Sequence, residues 1–391
     1  MLQLEPHKGI PGQIIVLMAA MAGLTVANLY YNQPLLEMMR HDLGTTASLA
    51  NLITVITQIG YAFGLCFIVP TGDLFSRRKI IVACMIIAAV MTVAIGLATH
   101  IYMVWGASLI MGACSIVPQL FIPIAGQFSK PEHKARNMGY VLSGLLVGIL
   151  AARVISGMIG EWFGWRTMFY VAGGIMMLCL VLTLMVMPNM QQNFSGSYKG
   201  LMQSVVRIFK EHPKIRLNAI RAAFGFGSML SFWACLAFHL ADEPFHAGSD
   251  AVGYLGLCGV AGALVASGIG KYISQYGVKT FSVLGALGQM AAWTVAFVGG
   301  QTYTGLILAI ILVDIGLQCQ QLSNQSACIQ EVPEASNRAN TIFMTTYFIG
   351  GSLGTFLAGQ GWSMAGWTGV CTVGISMATV SLLISWFLDR K

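Results

Sequence analysis

Long apolar runs separated by short polar breaks extend along the whole chain. Each run approaches the roughly 20 residues that an α-helix needs to cross the hydrocarbon core of a bilayer. A backbone in hydrocarbon has no water to bond with, so each run must be helical. The pattern predicts an all-α membrane protein with twelve transmembrane helices. These spans, numbered one to twelve, cover residues 13–36, 47–70, 79–98, 102–127, 138–161, 167–187, 216–241, 250–271, 280–299, 303–327, 339–361 and 368–387.

The longest polar break divides the chain into two similar halves. It predicts two pseudo-symmetric six-helix bundles, residues 1–187 and 216–391, joined by a linker at 188–215. Within the linker, GLMQSVVRIFKE places its apolar residues on one face, as in a helix lying on a membrane surface. SGIGKYISQYGVKT follows span eight where PTGDLFSRRK follows span two, with Ser274 in the place of Asp73. This correspondence indicates a duplicated unit, which is common in secondary transporters.

Composition and charge set the class and the orientation. Hydrophobic residues make up 56% of the chain and charged residues only 9%, which excludes an ordinary soluble protein. With the N-terminus in the cytoplasm, all 21 lysines and arginines lie on that side except Arg40, Arg153, Arg166 and Arg221. The positive-inside rule therefore predicts that both termini are cytoplasmic. The net charge of +7 then reflects contact with membrane lipid, and nucleic acid is not an expected partner.

Other chemistry is sparse. The nine cysteines show neither a disulfide framework nor metal-ligand spacing, so we expect no metal site and no cofactor. No nucleotide-binding motif is present in the sequence, which argues against ATP-driven transport. If the protein were an enzyme, His246 and Asp250 in the segment HAGSD would be the candidate acid–base pair. A solvated loop explains the presence of both residues. A non-transporting sensor would need a signalling domain beyond the short tails.

The loop between spans two and three concentrates charge that topology alone explains only in part. Its basic residues could simply anchor the orientation, but an acidic residue opposes that rule. The segment resembles the loop signature of the major facilitator superfamily, although Leu74 and Ser76 replace an arginine and a glycine of that signature. The resemblance implies a conformational latch in which Asp73 meets the positively polarised N-terminus of span eleven. The latch residues are Gly72, Asp73, Arg77, Arg78 and Lys79.

The resemblance extends over nearly the whole chain. The stretches ANLYYNQPLL, QIGYAFGLCFIVPTGD, SGLLVGILAARVISG, FGWRTMFYVAG and VDIGLQCQQLSNQ are similar to the arabinose-efflux-permease-like branch of the family, which is related to drug–proton antiporters. One position departs from that branch, because Ser108 stands four residues before Gly112, where drug antiporters carry an arginine. The resemblance implies a monomeric, non-enzymatic, multi-pass transporter of the bacterial inner membrane. The expected activity is proton-coupled efflux of a small polar or amphipathic compound, a sugar or a drug-like molecule, with a proton-coupled uptake symporter as the alternative.

Polar residues inside the spans suggest where substrate and proton would bind. Charged side chains at the middle of a bilayer are costly, and Asp314 is the one carboxylate near the middle of a span. Three glutamines follow it on one helical face. Spans one, four and seven carry similar polar faces, and in the family fold these spans line a central cavity together with span ten. The predicted cavity residues are Asn28, Tyr31, Asn32, Ser108, Ser115, Gln119, Ser228, His239, Gln318, Gln321 and Gln325. Hydrogen bonding between helices remains the alternative for such residues.

Arg153 and Asp314 are predicted to lie at matching depths. Counted from the cytoplasmic ends of their spans, they lie about 22 Å and about 20 Å deep at 1.5 Å per residue. They belong to opposite halves, and each charge would lower the cost of burying the other. We therefore expect the pair to couple proton binding to a conformational change, with span-end carbonyls or Glu161 as alternative partners of Arg153.

Overall fold

The structure is a computed structural model that describes residues 3–5, 8–190 and 197–388. The side chains of Asp73, Lys271 and Ser274, and the terminal Arg390 and Lys391, lie outside the described part. The predicted roles of these residues therefore stay predictions.

The first half consists of six spans built from eight helices. Span one combines α1 and α2 through turns at Ala27–Leu29 and Gln33–Leu35, and span four is broken between α5 and α6. Pro118 lies in the first turn of α6, where a residue without an N–H is tolerated at a helix start. The helices are α1 Gly12–Val26, α2 Leu36–Asp42, α3 Ala47–Phe63, α4 Arg77–Leu97, α5 Ile101–Cys114, α6 Val117–Phe128, α7 Lys134–Phe163 and α8 Trp165–Val186.

The second half follows a short linker helix. The elements are α9 Tyr198–Glu211, α10 Pro213–Ala241, α11 Ser249–Gly256, α12 Val260–Gly299, α13 Tyr303–Glu331 and α14 Ser336–Leu383. Span eight joins α11 to the first part of α12. Gly277, with φ of 81°, then separates spans eight and nine, as Ser76 separates spans two and three. Gly366, with φ of 57°, separates spans eleven and twelve within α14.

The twelve-span prediction is confirmed. Among the described residues, ten helices are long and apolar enough to cross a membrane. The last of them, Ser336–Phe387, has 52 residues and would be about 78 Å long if it were straight. That is more than twice the roughly 30 Å of hydrocarbon, so its break at Gly366 makes it two spans. Span eight, interrupted at Leu257–Gly259, is the twelfth.

The same glycine packing occurs once in each half. Gly144 and Gly148 of span five lie directly against the backbone of span one at Ala19 and Gly23. In the second half, Gly350 and Gly354 of span eleven lie against Ala223 and Gly227 of span seven. Small residues allow helix backbones to approach closely where there is no hydrophobic driving force between helices. Because spans seven and eleven are the counterparts of spans one and five, this contact supports the pseudo-symmetry of the bundles.

This packing leads to a prediction about stability. Gly148→Ala is expected to lower the thermal midpoint of the purified protein, because a methyl group at this position overlaps the backbone of Gly23. Gly139→Ala in the same helix is the matched control, since a methyl there has no neighbour within 4 Å. The control is expected to keep or raise the midpoint, because alanine favours helix more than glycine does. Equal midpoints for both variants would contradict the packing argument.

The linker helix α9 packs against the protein on part of its apolar face. Leu201, Val205 and Ile208 are buried, mainly at α10 and α14, whereas Phe209 is exposed. The predicted contact with a membrane surface stays a prediction. The Tyr198 hydroxyl donates to the Phe67 carbonyl at 3.3 Å, and Arg338 donates to the Ser204 hydroxyl at 3.0 Å. The helix therefore touches both halves at the end of the bundle that carries the chain termini, here called the terminus side. The domain limits at 187 and 216 stay predictions.

Candidate functional site

A cavity of about 120 Å³ lies between the two halves. The first half contributes side chains from spans one, two, four and five, and the second half from spans seven, eight, ten and eleven. The polar part of its wall is formed by Tyr30, Tyr61, Gln119, Arg153, Asp314, Gln318, Gln321 and Tyr347. A second cavity, lined by Gly72, Arg77 and Arg338, continues toward the terminus side and shares Gln119 and Met344 with the first.

On the side opposite the termini, spans two and eleven hold the halves together. The Ser48 hydroxyl donates to the Gly359 carbonyl at 3.1 Å, and the Asn51 amide donates to the Thr355 carbonyl at 2.7 Å. The Thr355 hydroxyl in turn donates to the Gln58 side chain at 3.3 Å. These contacts close the bundle above the cavity.

Spans five and eight form the second contact between the halves on that side. The Ser249 hydroxyl donates to the Gly157 carbonyl at 2.8 Å, and the Ser249 backbone N–H donates to the Glu161 carboxylate at 3.0 Å. Gly253 lies close to the backbone of Arg153 and Val154. The two contacts together seal the cavity from the side opposite the termini.

Arg153 is buried where the two halves meet. Its Nε donates to Gln33 Oε1 at 2.9 Å, and its guanidinium carbon lies 4.0 Å from the Trp233 ring centroid and 5.1 Å from that of Tyr30. Aromatic faces attract a guanidinium, more strongly where water is excluded. The alternative partner Glu161 bonds to Ser249 instead. Arg153 thus contacts both halves, through Gln33 and Tyr30 in the first and Trp233 in the second.

Asp314 faces the same cavity from span ten. Its side chain lies against Gly259 and Gly262 of span eight, where a methyl group on Gly259 would come within 2.9 Å of a carboxylate oxygen. Arg153 packs on Gly256, one helical turn earlier on the same span. The structure thus brings the two predicted charges to one stretch of span eight. Both residues are described, and no ion pair within 4 Å joins them in this conformation.

The glutamines of span ten lead from Asp314 toward the terminus side. Gln318 and Gln321 line the cavity, and the Tyr347 hydroxyl donates to Gln321 at 3.0 Å. Gln325 lies further along and donates to Asn340 at 2.8 Å. From the first half, Gln119 donates to the Tyr61 hydroxyl at 3.2 Å. Neither tyrosine was predicted from the sequence, because aromatic residues in an apolar span are as common in packed cores as in cavities.

The structure places the other predicted cavity residues of the first half inside that half. The Asn28 amide donates to the Met176 sulfur at 2.9 Å, and the Asn32 amide donates to the Thr57 hydroxyl at 3.4 Å. Ser115 bonds to the carbonyl one turn earlier in its own helix. Tyr31 and Ser108 are buried and lie outside the cavity lining. Short polar side chains near a neighbouring helix are satisfied locally, which is the alternative that the sequence left open.

The second half shows the same pattern for Ser228 and His239. Ser228 donates to the Gly374 carbonyl at 2.9 Å and accepts from the Trp293 indole. His239 bonds to the Gly300 carbonyl at 2.8 Å and stacks on Trp367, with ring centroids 4.1 Å apart. Both side chains therefore pack within their own half, away from the cavity lining.

A polar network that the sequence did not predict lies behind span ten. Arg221 is buried and donates to Asn324 and, at 2.5 Å, to Asn218. Asn324 donates to the Ser282 hydroxyl at 3.0 Å, and the Ser381 hydroxyl donates to the Arg221 carbonyl at 2.8 Å. Span ten therefore has two polar faces, one toward the cavity and one toward the core of its own half. Arg221 is therefore a residue of the core of the second half.

Two of the predicted latch residues, Gly72 and Arg77, line the terminus-side cavity. Arg77 donates to the Gly72 carbonyl at 3.0 Å and to Gln127 at 2.9 Å, and Arg78 donates to the Leu184 carbonyl at 2.7 Å. Lys79 is exposed. Gly72 and Arg77 share the cavity wall with 337–338, at the start of span eleven. Within the described part of the chain, no group of three or more His, Cys, Asp or Glu side chains could hold a metal ion.

Comparisons with known proteins agree with this architecture. A sequence profile described as Major Facilitator Superfamily matches residues 15–355. The uncharacterized transporter YgaY of Escherichia coli O157:H7 is 33% identical over 98% of this chain and 97% of its own length. SCO4007 of Streptomyces coelicolor, named a probable transporter, is 30% identical over 95% of this chain and 85% of its own length. A crystal structure of the nucleoside transporter NupG, 16% identical, superposes with a TM-score of 0.73 over 96% of this chain and 100% of its own. The chain therefore belongs to the Major Facilitator Superfamily, a family of membrane transporters.

Proposed function

We propose that the protein is a proton-coupled secondary transporter that works by alternating access. The observation that carries the proposal is that Asp314 and Arg153, from opposite halves, line one cavity sealed at one side. Ionisable residues inside a membrane are expensive and mark substrate or proton pathways. The distribution of lysine and arginine supports a cytoplasmic terminus side. The sealed side is then the periplasmic one, in a bacterial inner membrane.

The two charges offer a route from proton binding to conformational change. When Asp314 is ionised, we infer that it pairs with Arg153 in the state closed on the terminus side and so favours that state. When a proton neutralises Asp314, this attraction is lost, and the state sealed on the opposite side is favoured. A proton can shift the equilibrium only as far as its affinity differs between the two states. The contrast between a paired and an unpaired carboxylate supplies that difference. Asp73 and its basic neighbours remain the proposed latch on the terminus side.

Proton coupling has two candidate forms, antiport and symport. The family resemblance favours antiport, with export of a small polar or amphipathic compound. Symport is the second candidate, and Arg153 favours it. A cationic group facing the proton-binding carboxylate suits an anionic solute that moves together with its proton. Antiport would instead suit a solute that competes with the proton for Asp314.

The experiment uses proteoliposomes that contain a pH-sensitive dye. Solutes are added outside, and proton movement is recorded together with solute uptake. Coupled transport is expected to move protons only when a transported solute is present, and an imposed pH gradient is expected to drive accumulation. The sign of the pH change separates symport from antiport. Solute flux that ignores the pH gradient would contradict proton coupling.

A cross-link tests alternating access. Ser48 and Ser363 are in direct hydroxyl contact between spans two and eleven. Ser48→Cys combined with Ser363→Cys is expected to form a disulfide on mild oxidation and to stop transport, because the opposite side can no longer open. A reducing agent is expected to restore transport. Ser48→Cys alone, oxidised in the same way, is the matched control because it keeps the native cysteines. Normal transport by fully cross-linked protein would contradict the mechanism.

A further inference from the structure

Three buried N–H donors around Arg153 lack a hydrogen-bond acceptor. They are Arg153 Nη2, Gln33 Nε2 and the Trp233 indole Nε1, and none has a partner among the residues that the structure describes. The side chains of Gln33 and Trp233 are 0% exposed and that of Arg153 is 3% exposed. A buried donor without a partner is destabilising by about 1–3 kcal/mol. Such a cluster is unusual enough to require a reason.

The three donors belong to one cluster because the guanidinium joins them. Arg153 Nε bonds to Gln33 at 2.9 Å, and the guanidinium carbon lies 4.0 Å from the Trp233 ring centroid. The orientation of the Gln33 amide follows from chemistry. Arginine only donates, so the oxygen of the amide must face Nε. The amide nitrogen is therefore left as a donor beside the guanidinium.

We propose that Arg153, which alone of these three residues lines the cavity, binds the carboxylate of a small organic acid that the protein transports, while Gln33 and Trp233 hold its guanidinium in place. Arg153 presents a positive charge and the unpartnered Nη2 donor, so its complement is an anionic acceptor group. A planar carboxylate matches a guanidinium best, because both its oxygens accept hydrogen bonds. The inference rests on the proposed function, since it takes the cavity between the halves to be the substrate site.

The cavity beside the cluster suits an apolar body of about one ring. Its volume is about 120 Å³, and Phe226, Met229 and Phe348 supply apolar wall. A dry cavity of about 150 Å³ binds a benzene ring in other proteins. A carboxylate attached to one aromatic ring, as in benzoate, is therefore a suitable minimal probe.

The carboxylate and the proton stabilise each other in this site. A bound anion engages Arg153 and adds a negative charge near Asp314, so it favours a proton on Asp314. Among the described residues, Tyr30 and Tyr347 also line the cavity and Cys258 lies next to Gly259 in span eight, and the side chains of tyrosine and cysteine are ordinarily neutral near pH 7. The expected coupling is movement of acid and proton in the same direction, and benzoate is expected to bind more tightly at lower pH.

Equilibrium binding of labelled benzoate to the full-length protein in detergent tests the subsite. Benzamide, which has the same ring without the charge, is the matched competitor. Benzoate is expected to bind saturably at millimolar concentration and benzamide to compete poorly. Arg153→Met is expected to remove binding. Trp233→Phe weakens the cation–π contact that holds the guanidinium and is expected to weaken binding about fivefold. Thermal midpoints measured alongside show that the variants are folded.

A pH series separates this subsite from a merely structural arginine. Between roughly pH 6 and pH 8, benzoate itself stays ionised, so a fall in its affinity with rising pH reports Asp314. Asp314→Asn is expected to bind benzoate and to lose the pH dependence. Equal binding of benzoate and benzamide, or no saturable benzoate binding, would overturn the carboxylate subsite. These binding measurements use no pH gradient. Benzoate binding can therefore be absent while proton-coupled flux is intact, and flux can be independent of the pH gradient while benzoate still binds.

Discussion

Asp314→Asn is expected to abolish accumulation driven by a pH gradient while keeping solute exchange at equilibrium. Asparagine has nearly the shape of a protonated aspartic acid but cannot release a proton. Exchange of labelled for unlabelled solute needs only binding and the conformational change, and both survive the substitution. Net transport against a gradient needs the proton to leave, and this step is lost. Counterflow tests whether exchange is kept, and uptake driven by a pH gradient tests whether accumulation is lost. Both are measured on the same proteoliposomes.

The control for this experiment is Asp250→Asn. Asp250 lies in the first turn of α11, on the side opposite the termini and outside the cavity lining. This variant is expected to accumulate solute as the native protein does. Accumulation of normal strength in the Asp314 variant would exclude Asp314 as the coupling group, whatever the effect on exchange.

Arg153→Met and Asp314→Asn are expected to be strongly non-additive for pH-dependent transport. Either substitution alone leaves one charge in the cavity without its counterpart, and an uncompensated buried charge is costly. In the double variant neither charge remains, so the second substitution removes an interaction that is already lost. Interaction energies of about 0.5–3 kcal/mol are typical for residues in one network. The double variant should therefore lose roughly 2- to 160-fold less activity than the product of the two single effects.

The control is a double variant that combines Arg153→Met with Asp250→Asn. These residues share no partner in the structure, so their effects are expected to multiply independently. The assay is the rate of solute uptake at several values of the imposed gradient. Additive free-energy changes for Arg153 and Asp314 would show that the two charges act separately. The conformational link proposed between them would then be wrong.

The number of spans could be predicted from the sequence for a physical reason. Hydrocarbon forces each apolar run into a helix, so length and composition alone mark the crossings. The glycines at 144, 148, 350 and 354 could also be identified as contact points, because their spacing of four places them on one helical face. The matching depths of Arg153 and Asp314 followed from the rise per residue, and the structure places both on one cavity.

The assignment of polar residues to cavity or core was decided only by the tertiary structure. Span ten is polar on two faces, and sequence periodicity does not say which face meets the other half. Gln318 lines the cavity, whereas Asn324 supports Arg221 in the core. His239 looked like a cavity residue until the fold placed it against Trp367.

Arg153 shows most clearly which features the sequence predicts and which features only the folded structure decides. Its burial was predictable from its depth within span five. Its partners were not, because Gln33 and Trp233 are 120 positions before it and 80 positions after it in the sequence. They meet Arg153 only when spans one, five and seven pack together. The hydrophobic pattern of a chain determines which segments enter a membrane, because water and hydrocarbon act on each residue locally. Contacts between distant polar groups depend on how the helices pack, and only the folded structure decides them.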